Sequence, residues 1–472
     1  MEKHGVNVSQ QATSVSTPVV ATSGVPFVIG VAPVQCADDP ATPGIPVICT
    51  SFADAVKKLG YSDNWKDYTI CEFIYSHFKL YGCQPVIFCN VLNPSEMKET
   101  AAAHDATVTD HKVMLPIEAI NDENLIVKAS EGSGEAYLKE SDYSAYYHGE
   151  NLVIETLSSS PCYEAEQLNV AYHKVSRQSV TNATVAAGLE SIEQCLTLFG
   201  IVPDLICAPG FSSDTAVAAV MATKASGING MFKAKALIDM NTASVKTYSD
   251  AIQSKRDSYL IDPDEIACWP MVKMENYQFH MSTHLAGLIS QVDSGNGGCP
   301  YESPSNKNLR ADSLVLKDGS PVHLTLAQAN MLNANGIVTA IRFTGGWTCW
   351  GNYTACFPGN LDPKDYFIPV SRMVGWIGNS IIRTYWRKLD KPMNRRFIDT
   401  IKDAVNLWLA GLVGSEYLLG ARVEFLSEEN PDSNLAAGMI KFHVYITPPS
   451  PAQQIDFLLE YDVNYIASAL QV

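Results

Sequence analysis

The amino-acid sequence predicts an α/β protein with a central doubly wound α/β domain, an inserted β-rich domain, and an α+β C-terminal domain. Three observations predict this organisation. Apolar runs alternate with helical segments from Val25 onward, the alternation is interrupted between residues 96 and 180, and apolar and polar side chains alternate near the C-terminus. Because 472 residues are too many for one hydrophobic core, several domains are expected.

The central domain is predicted over residues 23–95 and 181–345. Short apolar runs separated by helical segments indicate a parallel sheet that is covered by helices on both faces. The predicted strands are 25–31, 85–91, 204–208, 231–238 and 265–269, and the predicted helices are 52–59, 70–80, 184–198, 214–226 and 243–255.

The segment 96–180 has a different character. It begins after a break at Asn93-Pro94 and contains short β-like pieces separated by turn residues such as Gly132 and Gly134. Fifteen acidic side chains stand against six basic ones, a net charge of −9. Such a surplus of like charge is typical of a solvated, self-repelling surface. The segment is therefore predicted to be an inserted β-rich domain on the outside of the protein.

The C-terminal region, 346–460, is predicted to be an α+β domain, because segments 421–425 and 439–447 alternate apolar and polar residues. The segment 455–463 alternates in the same way, which is the pattern of a half-buried strand. A terminal strand with unpaired backbone groups is a template for pairing with another chain. Residues 461–472 are therefore predicted to form an arm. The polar, β-prone residues 1–22, with Val6 and Val8 in alternation, predict a second, extended arm.

Composition restricts the function. The net charge of −17 argues against nucleic-acid binding, which requires a surplus of Lys and Arg. The N-terminus lacks the pattern of a secretory signal, and no run of 18 apolar residues occurs, so a soluble protein made in the cytosol is expected. The twelve cysteines never form Cys-x-x-Cys and several lie in apolar segments, which predicts buried free thiols.

Candidate catalytic groups are weak. Ser212, Ser213 and Asp214 lie at a strand-to-helix turn without the Gly-x-Ser-x-Gly pattern, and any of them suits a helix N-cap. His280 and His284 have the i, i+4 spacing of a zinc protease, but Met281 stands where that motif has its Glu. The aromatic, Gly-rich segment from Gly345 to Gly351, beside Cys349 and Cys356, is expected to be a packed turn rather than a ligand loop. The sequence therefore predicts no catalytic, cofactor-binding or metal site.

Several short motifs follow one another along essentially the whole chain. They are His4-Gly5-Val6-Asn7-Val8, the strand 25–31, Ala208-Pro209-Gly210-Phe211, Gly345-Gly346-Trp347, Phe367-Ile368-Pro369-Val370-Ser371-Arg372, the helix through Trp408, Gly420-Ala421-Arg422-Val423 and the Pro448-Pro449 break. In this order and spacing, they resemble the tail sheath proteins of contractile phages and of related injection machines.

The resemblance implies a central domain of subtilisin-like topology, in which this sequence lacks the serine and histidine motifs of that protease family. It implies a homo-oligomer, a helical sheath of stacked rings around a tail tube, with baseplate and tail terminator proteins as further partners. The particle would be a phage or a phage-tail-like bacteriocin or secretion apparatus, assembled in the bacterial host cytoplasm without membrane insertion. The arms, with Val6, Val8, Tyr461, Val463 and Tyr465, would be exchanged as strands between neighbouring subunits, and contraction would drive the tube through a target cell envelope.

The segment 371–402 carries eight basic and two acidic side chains, a net charge of +6 in an acidic protein. Within the resemblance it is interpreted as the tube-facing surface, and the residues assigned to it are Arg383, Arg387, Lys388, Arg395 and Arg396. The alternative is that these side chains are solvated helix ends or pair with acidic residues of neighbouring subunits.

Two other functions stay open on the sequence. One is a cytosolic α/β hydrolase-like enzyme with an accessory β domain, and the other is an unrelated self-assembling structural protein. Polymerisation into tubes would separate the enzyme from both structural alternatives.

Overall fold

A computed structural model of the chain describes residues 18–132, 134–343 and 345–470. The first part of the central domain alternates strands and helices as predicted, and its second helix continues into a π-helical turn over Tyr75–Tyr81. The elements are β1 (Pro26–Gly30), β2 (Val47–Cys49), α1 (Phe52–Leu59), α2 (Thr69–Ile74) and β3 (Val86–Asn90).

Short strands then follow one another in the acidic segment. They form small antiparallel sheets around a separate hydrophobic cluster that includes Leu115, Leu152 and Val170. The strands are β4 (Lys98–Thr100), β5 (His104–Thr107), β6 (Lys112–Pro116), β7 (Ile126–Ala129), β8 (Tyr143–His148), β9 (Asn151–Thr156), β10 (Gln167–Ala171) and β11 (His173–Val175).

The α/β alternation returns after this segment. The elements are α3 (Asn182–Gly188), α4 (Cys195–Phe199), β12 (Leu205–Cys207), α5 (Thr215–Ser226), β13 (Lys235–Asp239), α6 (Tyr248–Asp257), β14 (Glu265–Cys268), β15 (Met271–Met274), β16 (Tyr277–Phe279), α7 (Met281–Gly295), β17 (Ser313–Val315), β18 (Pro321–Val322), α8 (Leu326–Asn333), β19 (Ile337–Phe343) and β20 (Gly346–Trp350).

The C-terminal region is mainly helical and contains one strand pair. Its elements are α9 (Pro363–Tyr366), α10 (Ile368–Tyr385), α11 (Arg395–Gly414), β21 (Gly420–Glu424), α12 (Asp432–Ala436), β22 (His443–Thr447) and α13 (Asn464–Leu470).

The central sheet has the order β2-β3-β1-β12-β13-β14-β19-β20. Its inner strands are parallel, which confirms the sequence prediction, while β2 and β20 are antiparallel at the two edges. The strand order reverses between β1 and β12, as in a doubly wound sheet. The inner strands β1, β3, β12, β13 and β14 are buried along their whole length, as expected for strands covered on both faces.

The prediction for the segment after Gly345 is wrong. The segment was expected to be a packed turn, but residues Gly346–Trp350 form strand β20, which pairs with β19 from Thr339 to Phe343. A domain boundary between 345 and 346 would therefore separate two paired strands.

Helix α10 connects two hydrophobic clusters. Ile368 belongs to the central cluster, whereas Met373, Trp376 and Ile377 belong to a C-terminal cluster with Val405 and other residues of α11. The helix is thus part of the central body at its start and part of the C-terminal region along its middle.

The segment 455–463 differs from its sequence prediction. It was expected to be a half-buried strand, but it is neither paired nor buried in the single chain: Phe457 is 85% and Leu458 is 94% exposed. Residues Asn464–Leu470 form helix α13, so Tyr465, which was assigned to a strand arm, lies in a helix. Among the residues that the structure describes, no strand of the same chain pairs with this segment and no apolar surface covers it.

Candidate subunit-contact site

The strand pair β21–β22 directly precedes the exposed C-terminal segment. Its register is antiparallel, with Val423 opposite Val444 and Gly420 opposite Thr447. Val423, Val444 and Ile446 alternate with polar residues, so one face of the pair packs against α11 in the C-terminal cluster. The sequence predicted both strands from this alternation. A two-stranded sheet of this kind has two edges at which a further strand can pair.

The two edges are not equivalent. The side chain of Asn406, on α11, accepts a hydrogen bond from the backbone N–H of Val423 at 2.8 Å and donates one to its carbonyl oxygen at 3.2 Å. The amide thus occupies the outer edge of β21 as a neighbouring strand would. Sequence reasoning missed Asn406, because one Asn on a helix gives no signal of where its amide points.

The segment 448–463 leaves β22 at Pro448-Pro449, where Pro448 is still buried, and is exposed from residue 452 to the start of α13. Its apolar side chains Ile455, Phe457, Leu459, Tyr461 and Val463 are all exposed. We call residues 448–463 the C-terminal arm. Transfer of apolar surface out of water is favourable by about 25 cal/mol per Å², so an arm with this composition is stabilised by binding a second surface.

The predicted arm residues divide into two groups. Tyr461 and Val463 lie in the exposed C-terminal arm, whereas Val6 and Val8 lie outside the described residues. The end of the predicted N-terminal arm, residues 18–22, is attached to α10. The N–H of Val19 donates to Oγ1 of Thr384 and the N–H of Ala21 donates to Oγ of Ser380, both at 2.9 Å.

The five side chains assigned to the basic surface differ in their exposure and in their contacts. Arg383 donates to the carbonyl oxygen of Gly200 at 3.0 Å, and Arg395 lies 3.8 Å from Asp399 on the same helix. Arg387, Arg395 and Arg396 are exposed, whereas Arg383 and Lys388 are half-buried.

The interpretation of Arg372 as one of the basic side chains of this surface is wrong. Arg372 is buried, and its guanidinium donates to Oδ1 of Asp293 at 3.0 Å and to Oδ2 of Asp204 at 2.8 Å. It holds α10 against the central body.

Three of the candidate catalytic residues, Ser212, Ser213 and His280, line a cleft of about 850 Å³. Ser212 is buried and donates to Oδ2 of Asp239 at 3.1 Å, and Asp214 caps α5 through the N–H groups of residues 216 and 217, which confirms the capping interpretation. Nδ1 of His280 lies 2.8 Å from Oε2 of the buried Glu72. Although burial alone lowers the pKa of His280, the Glu72 carboxylate raises it to about 9. Among the described residues, no hydrogen bond joins Ser212 to a histidine.

His284 does not share a site with His280. It is buried in the core, where Nδ1 lies 2.9 Å from the hydroxyl oxygen of Tyr81. Within residues 18–132, 134–343 and 345–470, no three His, Cys, Asp or Glu side chains are grouped so that they could hold a metal ion. All twelve cysteines are free thiols and all but Cys36 are buried, which confirms that prediction. No helix in the described part of the chain has the length and apolarity needed to span a membrane.

Proteins similar in sequence share one description. The tail sheath protein of Burkholderia phage BcepMu is 26% identical over 489 residues, which cover 98% of this chain and 97% of that protein. The tail sheath protein of Escherichia phage P2 is 24% identical over 285 residues, 60% of this chain and 69% of that protein. No protein-family model matches the chain.

Solved structures show the same fold over nearly the whole chain. The sheath of the extracellular contractile injection system PVC, in its contracted state, has a TM-score of 0.59 at 15% identity and covers 98% of this chain and 99% of that one. The contracted helical sheath of the anti-feeding prophage has a TM-score of 0.60 at 13% identity and covers 98% of this chain and 100% of that one. The mixed α/β fold with several sheets is thus the fold of those proteins.

Proposed function

We propose that this chain, a member of the contractile tail sheath family, is the repeating subunit of a helical sheath that surrounds a tail tube in a phage or phage-tail-like particle. Contraction of the sheath drives the tube through a target cell envelope. The role is structural, with no catalytic step. The observation that carries the proposal is the C-terminal arm, which leaves the folded body with an alternating row of unburied apolar side chains.

The arms connect neighbouring subunits by strand addition. A contact between unlike surfaces of identical subunits generates a helical filament when it does not close into a ring. An arm that pairs with a neighbour's sheet forms several backbone hydrogen bonds of about 0.5 to 1.5 kcal/mol each, so the connection is strong only when they form together. Because the arm is exposed and extended, the bodies it joins can rotate against each other while the pairing persists.

The basic surface formed by Arg383, Arg387, Lys388, Arg395 and Arg396 faces the tail tube. Three of these side chains are exposed on an otherwise acidic protein, which supports an acidic partner. Exposed ion pairs contribute about 0 to 1 kcal/mol each and are screened by salt, which suits a contact that is released on contraction. The β-rich segment 96–180 lies on the outside of the cylinder, and the ends of the sheath bind baseplate and terminator proteins.

Electron microscopy of the purified chain tests the proposal. Tubes or curved oligomers are expected at high concentration, and a small tube protein is expected to co-purify when both are expressed together. A uniform monomer at every concentration, with or without tube protein, contradicts the sheath function and favours the hydrolase-like alternative.

A further inference from the structure

We propose, building on the strand addition described above, that helix α13 of one copy binds a groove at the end of the β21–β22 sheet of a neighbouring copy. The arm strand then determines where the chain enters the neighbour, and α13 anchors it there. The occupant of the groove is thus a second copy of this chain.

The first step is the choice of edge. Asn406 already satisfies both backbone groups of Val423, so the outer edge of β21 is occupied at its centre. An incoming strand would have to displace this amide and leave it without its two partners. Because unpaired buried polar groups are costly, the edge of β21 is the less favourable one.

The opposite edge, on β22, is open. In an antiparallel pair, the residues of a non-hydrogen-bonded pair direct their backbone groups away from each other. The backbone N–H and C=O of Val423 point to Asn406, so the backbone groups of its partner Val444 point away from β21, to the opposite edge of the sheet. The backbone groups of Ile446, two residues later, point the same way. No backbone hydrogen bond joins Val444 or Ile446 to another described residue on that side. The arm therefore adds to β22.

The direction of the added strand decides where α13 is placed. An arm that pairs antiparallel to β22, as β21 does, runs from the Thr447 end of the sheet to the His443 end. Its last residue, Val463, then lies near His443, and α13 begins directly beyond it.

A groove lies at that end of the sheet. It has a volume of about 460 Å³ between the start of α11 and the loop that joins the two strands. Its apolar walls are Met393, Ile398, Phe425 and Leu435. Phe425 packs edge-on against Phe442, the residue before β22, with ring centroids 5.9 Å apart, which places the groove beside the first residue of that strand.

Helix α13 has a matching surface. Its apolar side chains Tyr465, Ile466 and Leu470 are exposed in the single chain. The groove carries Arg395 and Lys402 on its rim, and Asp462 lies two residues before the start of α13. Asp399 lies between the two cations, 3.8 Å from Arg395 and 3.7 Å from Lys402, so the rim keeps a net positive charge. Apolar contact and charge thus both favour this occupant.

Site-specific cross-linking tests the contact. A variant with Leu435→Cys and Ile466→Cys is treated with a short bismaleimide after assembly, and a ladder of covalent multimers is expected on a denaturing gel. Each single variant is a control. A second control pairs Ile466→Cys with Met331→Cys, an exposed position on α8, and is expected to give no ladder. The native thiols interfere little, because eleven of the twelve are buried.

Two truncations separate this inference from the proposed function. Ending the chain after Val463 removes α13 but keeps the arm strand, and it is expected to raise the concentration needed for assembly about tenfold or more, a change that corresponds to about 1.4 kcal/mol. Ending it after Thr447 is expected to abolish assembly. If the first truncation assembles like the parent and the Leu435→Cys/Ile466→Cys pair gives no ladder, α13 does not bind this groove, although strand addition still holds. If the parent itself never assembles, the sheath function fails.

Discussion

Arg372 and Asp293 form a buried ion pair that joins helix α10 to helix α7, and Asp204 closes the cluster from the central sheet. Both side chains of the pair are almost completely buried. Taking charges out of water is unfavourable unless each is paired, so the three groups depend on one another.

Replacing Arg372 by Ala should lower the free energy of unfolding by about 3 to 5 kcal/mol, because two carboxylates remain buried without their cation. Urea unfolding measures the change. Arg387→Ala, at an exposed position, is the matched control and is expected to change stability by at most about 0.5 kcal/mol. Equal effects of the two substitutions would contradict a structural role for the cluster.

The protein should lose stability as the pH falls below about 6.5. His77 and His284 are buried, and burial lowers the pKa of each to about 3. In the unfolded chain both bind protons near the ordinary pKa of 6.5, whereas the folded state does not, so their effect is absent above 6.5 and grows as the pH falls toward 3. Each pH unit costs up to about 1.4 kcal/mol per group.

His77→Phe tests this dependence, because the ring of His77 already stacks on Phe73 and both its nitrogens lack partners among the described residues. The variant should melt at a less pH-dependent temperature between pH 6.5 and 4 than the parent. His280 is the internal contrast. Its raised pKa, about 9, contributes stability that is present below 6.5 and lost as the pH rises through 9. A His77→Phe variant with the parent's acid sensitivity would rule out the assigned cause.

Reversing the charges of Arg387, Lys388 and Arg396 to Glu should weaken assembly on tail tubes by about tenfold or more at low salt and leave tube-free assembly unchanged. The difference should shrink near 1 M salt, where the screening length is about 3 Å. Sedimentation of tubes with bound sheath measures it. The control reverses Lys112, Lys128 and Lys139, and a parent-like triple variant at all salt concentrations would show that this surface does not face the tube.

The lysines of the acidic β-rich segment should stay accessible in the assembled sheath. If the segment lies on the outside of the cylinder, as proposed, amine labelling followed by mass spectrometry will modify Lys112, Lys128 and Lys139 equally in monomers and in tubes. Lys235, which is buried against Asp264, is the unreactive reference. Protection of the three lysines in tubes alone would place the segment in the wall.

The sequence predicted the strands whose side-chain pattern lies within a few neighbouring residues. Strands such as β21 and β22 follow from side-chain alternation, and the inner strands of the central sheet follow from their apolar runs. The segment 455–463 has the same alternation, but no described strand of the same chain pairs with it, so the pattern alone predicted burial that is not found in the single chain.

The contacts that the sequence did not predict join side chains to partners on other elements. Arg372 was counted with exposed cations because its carboxylates lie 79 and 168 residues away in sequence. The contact of Asn406 with Val423 spans only 17 residues, yet helical periodicity does not indicate which backbone a polar side chain will reach. The short helix α13 follows an extended segment directly. Asp462 marks its start, because its Oδ1 accepts from the N–H of Asn464 at 2.9 Å, but the alternation of residues 455–463 favoured a strand that continues through this position.

Helix α10 makes the subunit stiff where a hinge would otherwise be expected. It is buried in the central cluster at Ile368 and in the C-terminal cluster at Trp376, and the ion cluster of Arg372 fixes the stretch between them. Because α10 is one continuous helix packed in both parts, a force applied to the C-terminal region is transmitted to the central body. Compliance is left to the exposed C-terminal arm, so contraction can rotate whole subunits with little bending of each one.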